Sequence, residues 1–200
     1  MSKGKDTGST PDTKQRIVTA GTELFRRRGY TGTGMKQIAE AAGAPFGSIY
    51  HFFPGGKAQL GEEVIRTSGA VYLGLVAALM EPYEDRVAAT RDAFAAAADT
   101  LSELDFADPC PIATVAMEVA STNEALRQAT SEVFDSWIDG LAAYYAGGGI
   151  PQPDARETAS AVIALLEGAF MLGRAARSTA PVLTAGKAAA AIVRAALAGE

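Results

Sequence analysis

Apolar residues near the start of the chain recur at the spacing of an α-helix. Four of them follow Asp12 on one predicted helical face: Ile17, Ala20, Leu24 and Phe25. The segment RRRGY then places three arginines in the last turn, where cations are favourable, and Gly29 just beyond it. The pattern therefore predicts a first helix with both ends marked.

A second, shorter helix is predicted after the stretch TGT. Thr33 is its predicted N-cap, because a threonine hydroxyl can accept a hydrogen bond from a free backbone N–H at a helix start. Four apolar residues follow at positions i, i+3, i+4 and i+7: Met35, Ile38, Ala39 and Ala42. Gly43 is predicted to end this helix.

The stretch GAPFGSIYHFFPGGK, residues 43–57, predicts a third helix of about two turns. Pro45 suits its first turn, where the missing N–H would have had no partner. Three residues are predicted to face inward and two outward: Ile49, Phe52 and Phe53, then Ser48 and His51. So small a unit needs large side chains to bury enough apolar area. Two short helices packed on a longer one predict a helix-turn-helix unit.

The remaining chain also predicts helices. A long one begins at Lys57, is stopped by Pro82, and has an apolar side made of Leu60, Val64, Val71, Leu75 and Leu79. Further helical segments are predicted at 83–104, 111–121, 123–145, 154–178 and 184–197. Apolar residues make up 48% of the chain, alanine runs are frequent, and alternation typical of strands is scarce. The fold class is therefore predicted to be all-α.

Charge is distributed unevenly along the chain. Up to Leu60 there are nine basic and four acidic residues, whereas the remainder carries nine basic and nineteen acidic residues. A basic first part with net charge +5, joined to an acidic part with net charge −10, suggests a module that meets a polyanion. Chance variation between domains is the alternative.

Several functions find no support in the sequence. Cys110 and His51 are the single cysteine and histidine, so neither a disulfide nor a metal cluster is predicted, and no cofactor or catalytic set is apparent. The polar N-terminus lacks a signal-peptide core. The longest nearly apolar stretch, Ala159 to Gly173, contains Glu167 and is shorter than the roughly 18 residues of a membrane span. We therefore expect a cytoplasmic protein that is neither an enzyme nor membrane-bound.

The segment TGTGMKQIAEAAGAPFGSIYHFFPGGK resembles the N-terminal signature of the TetR family of bacterial transcriptional repressors. The matching positions are Thr33, Ile38, Ala39, Ala42, Gly43, Gly47, Tyr50, Phe53 and a downstream lysine. The resemblance covers about residues 12–65. CPIATVAMEVA, from Cys110, together with FPGGK resembles the LmrA/YxaF-like branch, whose studied members respond to small, often aromatic or lipophilic compounds.

The resemblance implies DNA-contacting residues. The helix that begins near Pro45 would enter the major groove and place five residues nearest the base edges: Ala44, Pro45, Phe46, Ser48 and His51. Gly47 belongs to the same interface. Four further residues would contact the phosphate backbone: Thr33, Lys36, Tyr50 and Lys57. The alternative is that Thr33 only caps a helix, Tyr50 only packs, and the charges are solvated.

Two departures from the family pattern affect this interface. Many relatives carry Lys or Arg where this chain has Phe46, so that one phosphate contact is absent or is replaced by an apolar contact to a thymine methyl group. One additional glycine also separates Phe53 from Lys57.

The resemblance also implies a ligand-binding and dimerising second part. Family members usually hold an inducer among these helices, and the predicted lining residues are Met117, Phe134, Trp137 and Phe170. Plain core packing is the alternative for each. The scarcity of basic residues there argues against a highly anionic effector. The last two segments, rich in small residues, would form a homodimer interface of four helices, or else pack within one subunit.

The predicted organisation is a flexible arm over residues 1–10, a helix-turn-helix DNA-binding domain over 11–56, and a ligand-binding and dimerisation domain over 57–200. The predicted function is a ligand-responsive repressor that binds a palindromic operator as a dimer and is released by an apolar or aromatic small molecule. The alternatives are a small-molecule carrier protein, or an activator in place of a repressor.

Overall fold

The computed structural model describes residues 12–107 and 110–199, and the predicted arm at 1–10 lies outside them. Within the described residues the chain forms nine α-helices and no strand, which confirms the all-α prediction. In chain order the helices are α1 Thr13–Arg28, α2 Met35–Ala41, α3 Phe46–Phe52, α4 Gly56–Met80, α5 Arg86–Glu103, α6 Pro111–Val119, α7 Glu124–Ala146, α8 Gln152–Ala176 and α9 Ala180–Ala198.

Large apolar side chains hold the first three helices together, and we call these helices the head. Ile17, Phe25, Ile38, Ile49 and Phe53 are each at most 1% exposed. They belong to one apolar cluster that continues into α4, α6 and α7. The core is thus uninterrupted between the head and the remaining helices, which we call the body. A domain boundary at residue 57 remains a prediction.

The turn between α1 and α2 corrects the prediction for Thr33. Gly34 is the N-cap of α2, and its backbone N–H donates to the Gln37 side chain at 2.8 Å. Thr33 is only 1% exposed, and its hydroxyl lies 2.8 Å from the carbonyl oxygen of Gly29. The turn folds back on α1, so the hydroxyl binds the end of the preceding helix instead of starting the next one.

The start of α3 also differs slightly from the prediction. Pro45 is the N-cap of α3, and helical geometry begins at Phe46. Ile49 and Phe53 are buried as predicted, whereas Phe52 is only partly buried. The short helix therefore has two fully buried anchors and leaves most of its remaining surface outside the core.

The body places α5 and α9, α8 and α9, α7 and α8, and α4 and α7 next to one another. A second apolar cluster, which includes Phe94, Leu101, Tyr145 and Val182, fills the space among them. Helix α4 leaves the head, α5 runs back from the far end of α4, and α6 packs against α1 and α4. This order places α6 beside the head and the start of α5 far from it.

Three helices are long and apolar enough, by length and composition alone, to cross a membrane: Gly56–Met80, Gln152–Ala176 and Ala180–Ala198. This finding corrects the sequence-based prediction, which considered only the nearly continuous apolar stretch from Ala159 to Gly173. Mean hydropathy over a window stays high because alanine and other apolar residues outweigh the few polar ones. In the fold, all three helices pack against neighbouring helices of the body.

Candidate DNA interface and ligand cavity

The outer face of α3 presents two aromatic rings to solvent. Phe46 is 49% exposed and Tyr50 is 47% exposed, and their ring centroids lie 5.5 Å apart in an edge-to-face arrangement. Edge-to-face pairs are a favourable aromatic geometry. Pro45, Gly47 and His51 are also exposed. The predicted base-facing residues therefore share one accessible surface, at whose edge Ala44 and Ser48 are partly buried.

Backbone contacts position α3 relative to α1 and α2. The Ala44 N–H donates to the carbonyl of Ala39 at 3.0 Å, and Gly43 turns the chain with a φ of 57°. Positive φ is accessible to glycine at little steric cost. Arg16 on α1 donates through Nε to the carbonyl of Ala42 at 3.1 Å, which ties the end of α2 to the first helix.

The cations of the head differ in their availability for phosphate. Lys14 pairs with Glu63 at 2.6 Å, and Arg27 pairs with Glu23 at 2.5 Å. Lys36 is exposed on α2 and forms no ion pair with any residue that the structure describes. Lys36 is therefore the predicted phosphate-contacting lysine that is freest to bind an external anion.

Thr33 and Lys57 are placed differently from the prediction of exposed phosphate contacts. The Thr33 side chain is buried, so its hydroxyl is not available at the surface. The Lys57 ammonium lies 4.3 Å from the centroid of the Tyr30 ring, a cation–π distance. Partial burial lowers the pKa of Lys57, and the negative charge of Glu118 partly opposes that effect.

Glu118 joins the head to the body, a contact that sequence analysis missed. This residue on α6 accepts a hydrogen bond from the Thr31 N–H at 2.7 Å. Its carboxylate also fills the space that a side chain at Gly29 would need, and Gly29 has a φ of 73°. The two partners are 87 residues apart in sequence, so no local pattern could have indicated the contact.

The body contains a partly open cavity of about 1040 Å³ between α4, α5, α7 and α8. Its walls are mainly aliphatic and aromatic, and its volume is at the upper end of the range of small-molecule sites. Residues from Tyr72 to Glu81 make the α4 wall. The other walls include Arg86, Thr90, Phe94, Leu104, Cys110, Trp137, Tyr144, Tyr145, Val162, Leu166, Glu167 and Phe170.

Two of the four predicted ligand residues, Trp137 and Phe170, line this cavity. Phe134 does not line it, but packs edge to face on Trp137 with ring centroids 5.5 Å apart. Met117 is 77% exposed on the outside of α6, because Val115 and Val119 turn the opposite face of that short helix inward. Phe134 and Met117 are therefore not lining residues of this cavity, and their part in ligand binding stays a prediction.

Most polar groups of the cavity wall are occupied by protein partners. The Tyr145 and Thr90 hydroxyls lie 2.9 Å apart, and burial raises the pKa of Tyr145 to about 12. The Trp137 indole N–H donates to the Gly69 carbonyl at 2.9 Å. The Tyr144 hydroxyl donates to the Met80 carbonyl at 3.1 Å. These hydrogen bonds pair the polar side-chain groups with other protein groups and fix the positions of the rings in the wall.

Glu167 and Cys110 are two neighbouring ionisable side chains of the cavity wall whose pKa values are both raised. Burial raises the pKa of Glu167 to about 7, and a hydrogen bond from the Cys110 thiol partly counters that shift. Burial also raises the pKa of the Cys110 thiol well above its usual value, and the nearby Glu167 adds to this. Cys110 caps α6, since its sulfur accepts from the Ala113 N–H at 3.4 Å.

Metal chemistry finds no support in the described part of the chain, where no three His, Cys, Asp or Glu side chains converge. His51 lies on the outer face of α3, and the Cys110 thiol lies beside Glu167.

Comparison with known proteins yields two family matches and close relatives. Residues 17–64 match the bacterial regulatory proteins of the tetR family, and residues 87–188 match the C-terminal domain of LmrA/YxaF-like transcriptional regulators. The uncharacterized HTH-type transcriptional regulator YxaF of Bacillus subtilis is 30% identical over 175 residues, covering 88% of this chain and 92% of YxaF. The HTH-type transcriptional regulator LmrA of the same organism is 30% identical over 172 residues, covering 86% and 92%.

Solved structures share the fold. The regulatory protein TetR from Rhodobacter sphaeroides superimposes with a TM-score of 0.79 at 22% identity, covering 90% of this chain and 97% of that one. Both family matches and both relatives are transcriptional regulators, which confirms the expectation that the protein is not an enzyme. The N-terminal and C-terminal matches lie on the head and the body respectively, and the chain belongs to the TetR family of bacterial transcriptional regulators, with an LmrA/YxaF-like C-terminal domain.

Proposed function

We propose that the protein is a cytoplasmic, ligand-responsive repressor that binds a palindromic operator as a homodimer and leaves it when an apolar or aromatic molecule enters the cavity. The observation that carries this proposal is the path of α4. Its N-terminal end packs in the core of the head, and its residues 72–80 form a wall of the cavity. One rigid helix thus touches both the DNA-binding unit and the ligand site.

In this proposal α3 reads the major groove through its exposed face. Phe46 would contact a thymine methyl group, while Ser48 and His51 would bond to base edges. Lys36 and Tyr50 would contact phosphates and set the register of the head. Lys57 would need to leave the Tyr30 ring to reach a phosphate. Thr33 would act through the turn it holds, because its side chain is buried.

The proposed dimer interface lies on α8 and α9. These helices pack on each other and on the body, yet they leave large apolar side chains exposed: Met171, Leu172, Leu183, Ile192 and Leu197. Exposed apolar patches on a soluble protein favour association. Two copies joined through a two-fold axis would form a four-helix interface and present two heads to half-sites about 34 Å apart.

Ligand response requires a difference in affinity between two arrangements of the heads. A ligand that fits the cavity better when α4 is displaced would favour a head separation that no longer matches successive major grooves. The contact between Glu118 and the Thr31 N–H gives α6 a second connection to the head. Movement of α4 and α6 together would then rotate the head as a unit.

Genomic affinity selection with the purified protein tests this function. We expect recovery of fragments that share a palindrome, with an affinity that falls steeply as salt rises. Aromatic and lipophilic compounds that bind the cavity should release these fragments. Absence of any selected sequence at low ionic strength would contradict the regulator, and binding of compounds without DNA would favour a carrier protein.

In vitro transcription from a selected promoter separates repression from activation. We expect the dimer to reduce transcript yield by occluding the promoter, and an active compound to restore it. An increase of transcript on adding the protein would instead assign an activator.

A further inference from the structure

Among the residues that the structure describes, Glu167 is the carboxylate of the cavity lining that lies at the end near the head. It lies on α8 one turn before Phe170 and next to Leu166, and Trp137 lies on the α7 wall of the same cavity. A charged carboxylate in apolar surroundings is costly unless it is paired. Its partner among the described residues is the Cys110 thiol, which is only a weak hydrogen-bond donor. Glu167 thus retains acceptor capacity that the protein leaves largely unused.

The other charged side chains of the cavity lining, Arg86 and Glu81, lie at the opposite end of the cavity from Glu167. Arg86 begins α5 at the end far from the head, where it lies 4.1 Å from the Tyr144 ring centroid and donates to the Tyr83 carbonyl at 2.6 Å. Glu81 follows α4 at that same far end and is exposed to solvent. Cys110 stands by α6, beside the head. Neither Arg86 nor Glu81 therefore neutralises or duplicates the carboxylate of Glu167.

We propose that the effector is an aromatic or lipophilic molecule carrying one basic nitrogen, and that Glu167 holds the protonated nitrogen through a charge-assisted hydrogen bond. This inference rests on the proposed ligand response and names its chemical class. The cavity wall supplies apolar area for the rings, and Trp137 and Phe170 supply aromatic faces that attract a cation. A cationic ligand also offsets the desolvation cost of this partly buried carboxylate, which a neutral ligand does less effectively.

This position connects the ligand to the head. Glu167 contacts Cys110, which caps the start of α6, and Glu118 on the same helix accepts from Thr31 in the head. A nitrogen bound to Glu167 would compete with the thiol for the carboxylate. Ligand binding would therefore first change the contact between Glu167 and Cys110, the residue that caps α6.

A matched set of pyrenes tests the inference directly with the full-length protein. 1-Pyrenemethylamine is a cation at neutral pH, 1-pyrenemethanol is a neutral hydrogen-bond donor, and 1-pyrenecarboxylate is an anion. Trp137 is the single tryptophan and lines the cavity, so quenching of its fluorescence reports binding without DNA. We expect the amine to bind at least about tenfold more tightly than the alcohol, and the carboxylate to bind most weakly.

Variants of Glu167 assign the preference to this side chain. Glu167→Gln keeps the shape and removes the charge, so it should weaken amine binding by about tenfold or more and change alcohol binding by less than about threefold. Glu167→Asp should retain a preference for the amine. Glu157→Gln, on an exposed position of the same helix, is the matched control and should behave as the wild type. Circular dichroism verifies that each variant is folded.

Three outcomes would overturn the inference. These are equal binding of amine and alcohol, loss of the amine preference in Glu81→Gln but not in Glu167→Gln, and absence of quenching by all three pyrenes. Amine binding to the wild type should also strengthen as pH rises through about 7, because Glu167 loses its proton there. Since the assay contains no DNA, its failure leaves operator binding untouched, and failure of operator binding leaves the pyrene result intact.

Discussion

At the scale of single residues, environment decides what each charged side chain can do. Lys36 and Lys57 are both lysines of the N-terminal signature, yet Lys36 is exposed and Lys57 packs on the Tyr30 ring. Glu118 and Glu167 are both carboxylates of the body, yet Glu118 binds the backbone of the head and Glu167 faces the cavity. The two lysines therefore differ in their surroundings, and so do the two glutamates.

Lys36 provides a prediction about DNA affinity. Lys36→Gln should weaken binding to specific and unrelated DNA alike and should reduce the slope of log K against log salt by about 1, because one phosphate contact is lost. Fluorescence anisotropy over a salt series measures this slope. Arg91→Gln removes one positive charge from α5, where Arg91 pairs with Asp92, and should leave the slope unchanged. An unaltered slope in Lys36→Gln would exclude the proposed contact.

Glu167 provides a prediction about stability and pH. Its folded-state pKa of about 7 lies above the ordinary value of 4.5, so its contribution is fully present below about pH 4.5 and is lost as pH rises through about 7. Without ligand, Glu167→Gln should be more stable than the wild type near pH 8, by the order of 1–3 kcal/mol, and the gain should shrink towards pH 5.

Urea unfolding of both proteins across this pH range measures the difference. The carboxyls of Asp92 and Glu124, whose pKa values their arginine partners lower, titrate at lower pH and are common to both proteins. A pH-independent difference would show that Glu167 does not change protonation in this range.

At the scale of helices, close approach of backbones fixes the relation between the two sites. Gly69 on α4 faces Val133 on α7, and a Cβ at Gly69 would lie 2.5 Å from a Val133 methyl carbon. The Gly69 carbonyl also accepts the hydrogen bond from Trp137. The glycine thus allows α4 and α7 to meet directly between the head and the cavity.

A matched pair of glycine substitutions tests this contact. Gly69→Ala should destabilise the protein by about 1–3 kcal/mol, because the added methyl overpacks the α4–α7 contact. Gly74→Ala lies on the same helix with nothing within 4 Å, and should stabilise it by about 0.5–1 kcal/mol through helix propensity. Thermal unfolding compares the two. Equal effects would show that α4 and α7 do not approach as closely as described.

At the scale of the whole molecule, the chain forms two apolar clusters and a cavity between helices of the body. The first cluster joins the head to α4, α6 and α7, while the second joins α5 and α7 to α8 and α9. Helices α4 and α7 contribute to both clusters, so the head and the cavity share structural elements. This arrangement suits a protein in which one site influences the other.

The proposed dimer provides a prediction at this scale. Leu172 on α8 is 59% exposed, and Leu172→Lys should yield monomers and weaken binding to a palindrome by about tenfold or more, because a buried unpaired charge opposes association. Light scattering coupled to size-exclusion chromatography measures the mass. Met117→Lys changes another exposed apolar residue, on α6, and should remain dimeric. A Leu172→Lys protein that stays dimeric would place the interface elsewhere.

Local patterns accounted for most of the helices and for the head. The spacing of Ile17, Ala20 and Phe25, and of Ile49 and Phe53, indicated which residues enter the core, because helical periodicity places such residues on one face. Boundaries shifted by a few residues, as at Thr33 and Pro45, where contacts across a turn override the local capping preference. The size of the apolar side chains and their helical spacing therefore predicted where helices form and which faces they bury.

The lining of the cavity was predicted only in part. The family resemblance, applied to large apolar side chains of the body, selected four residues, of which Trp137 and Phe170 line the cavity and Met117 and Phe134 lie outside it. Glu167 was noticed only as an interruption of an apolar stretch. Its role depends on Cys110 and on the facing walls of α4, α5 and α7, which lie far from it in sequence.

The sequence by itself determined the helical composition, the basic head with its aromatic anchors, and the family, because these follow from residue types at short, regular spacings. Only the tertiary structure decided which faces line the cavity, that Glu167 lies partly buried beside a thiol, and that Glu118 reaches the head. Those properties arise between residues tens of positions apart, and packing, not local spacing, sets the distances between them.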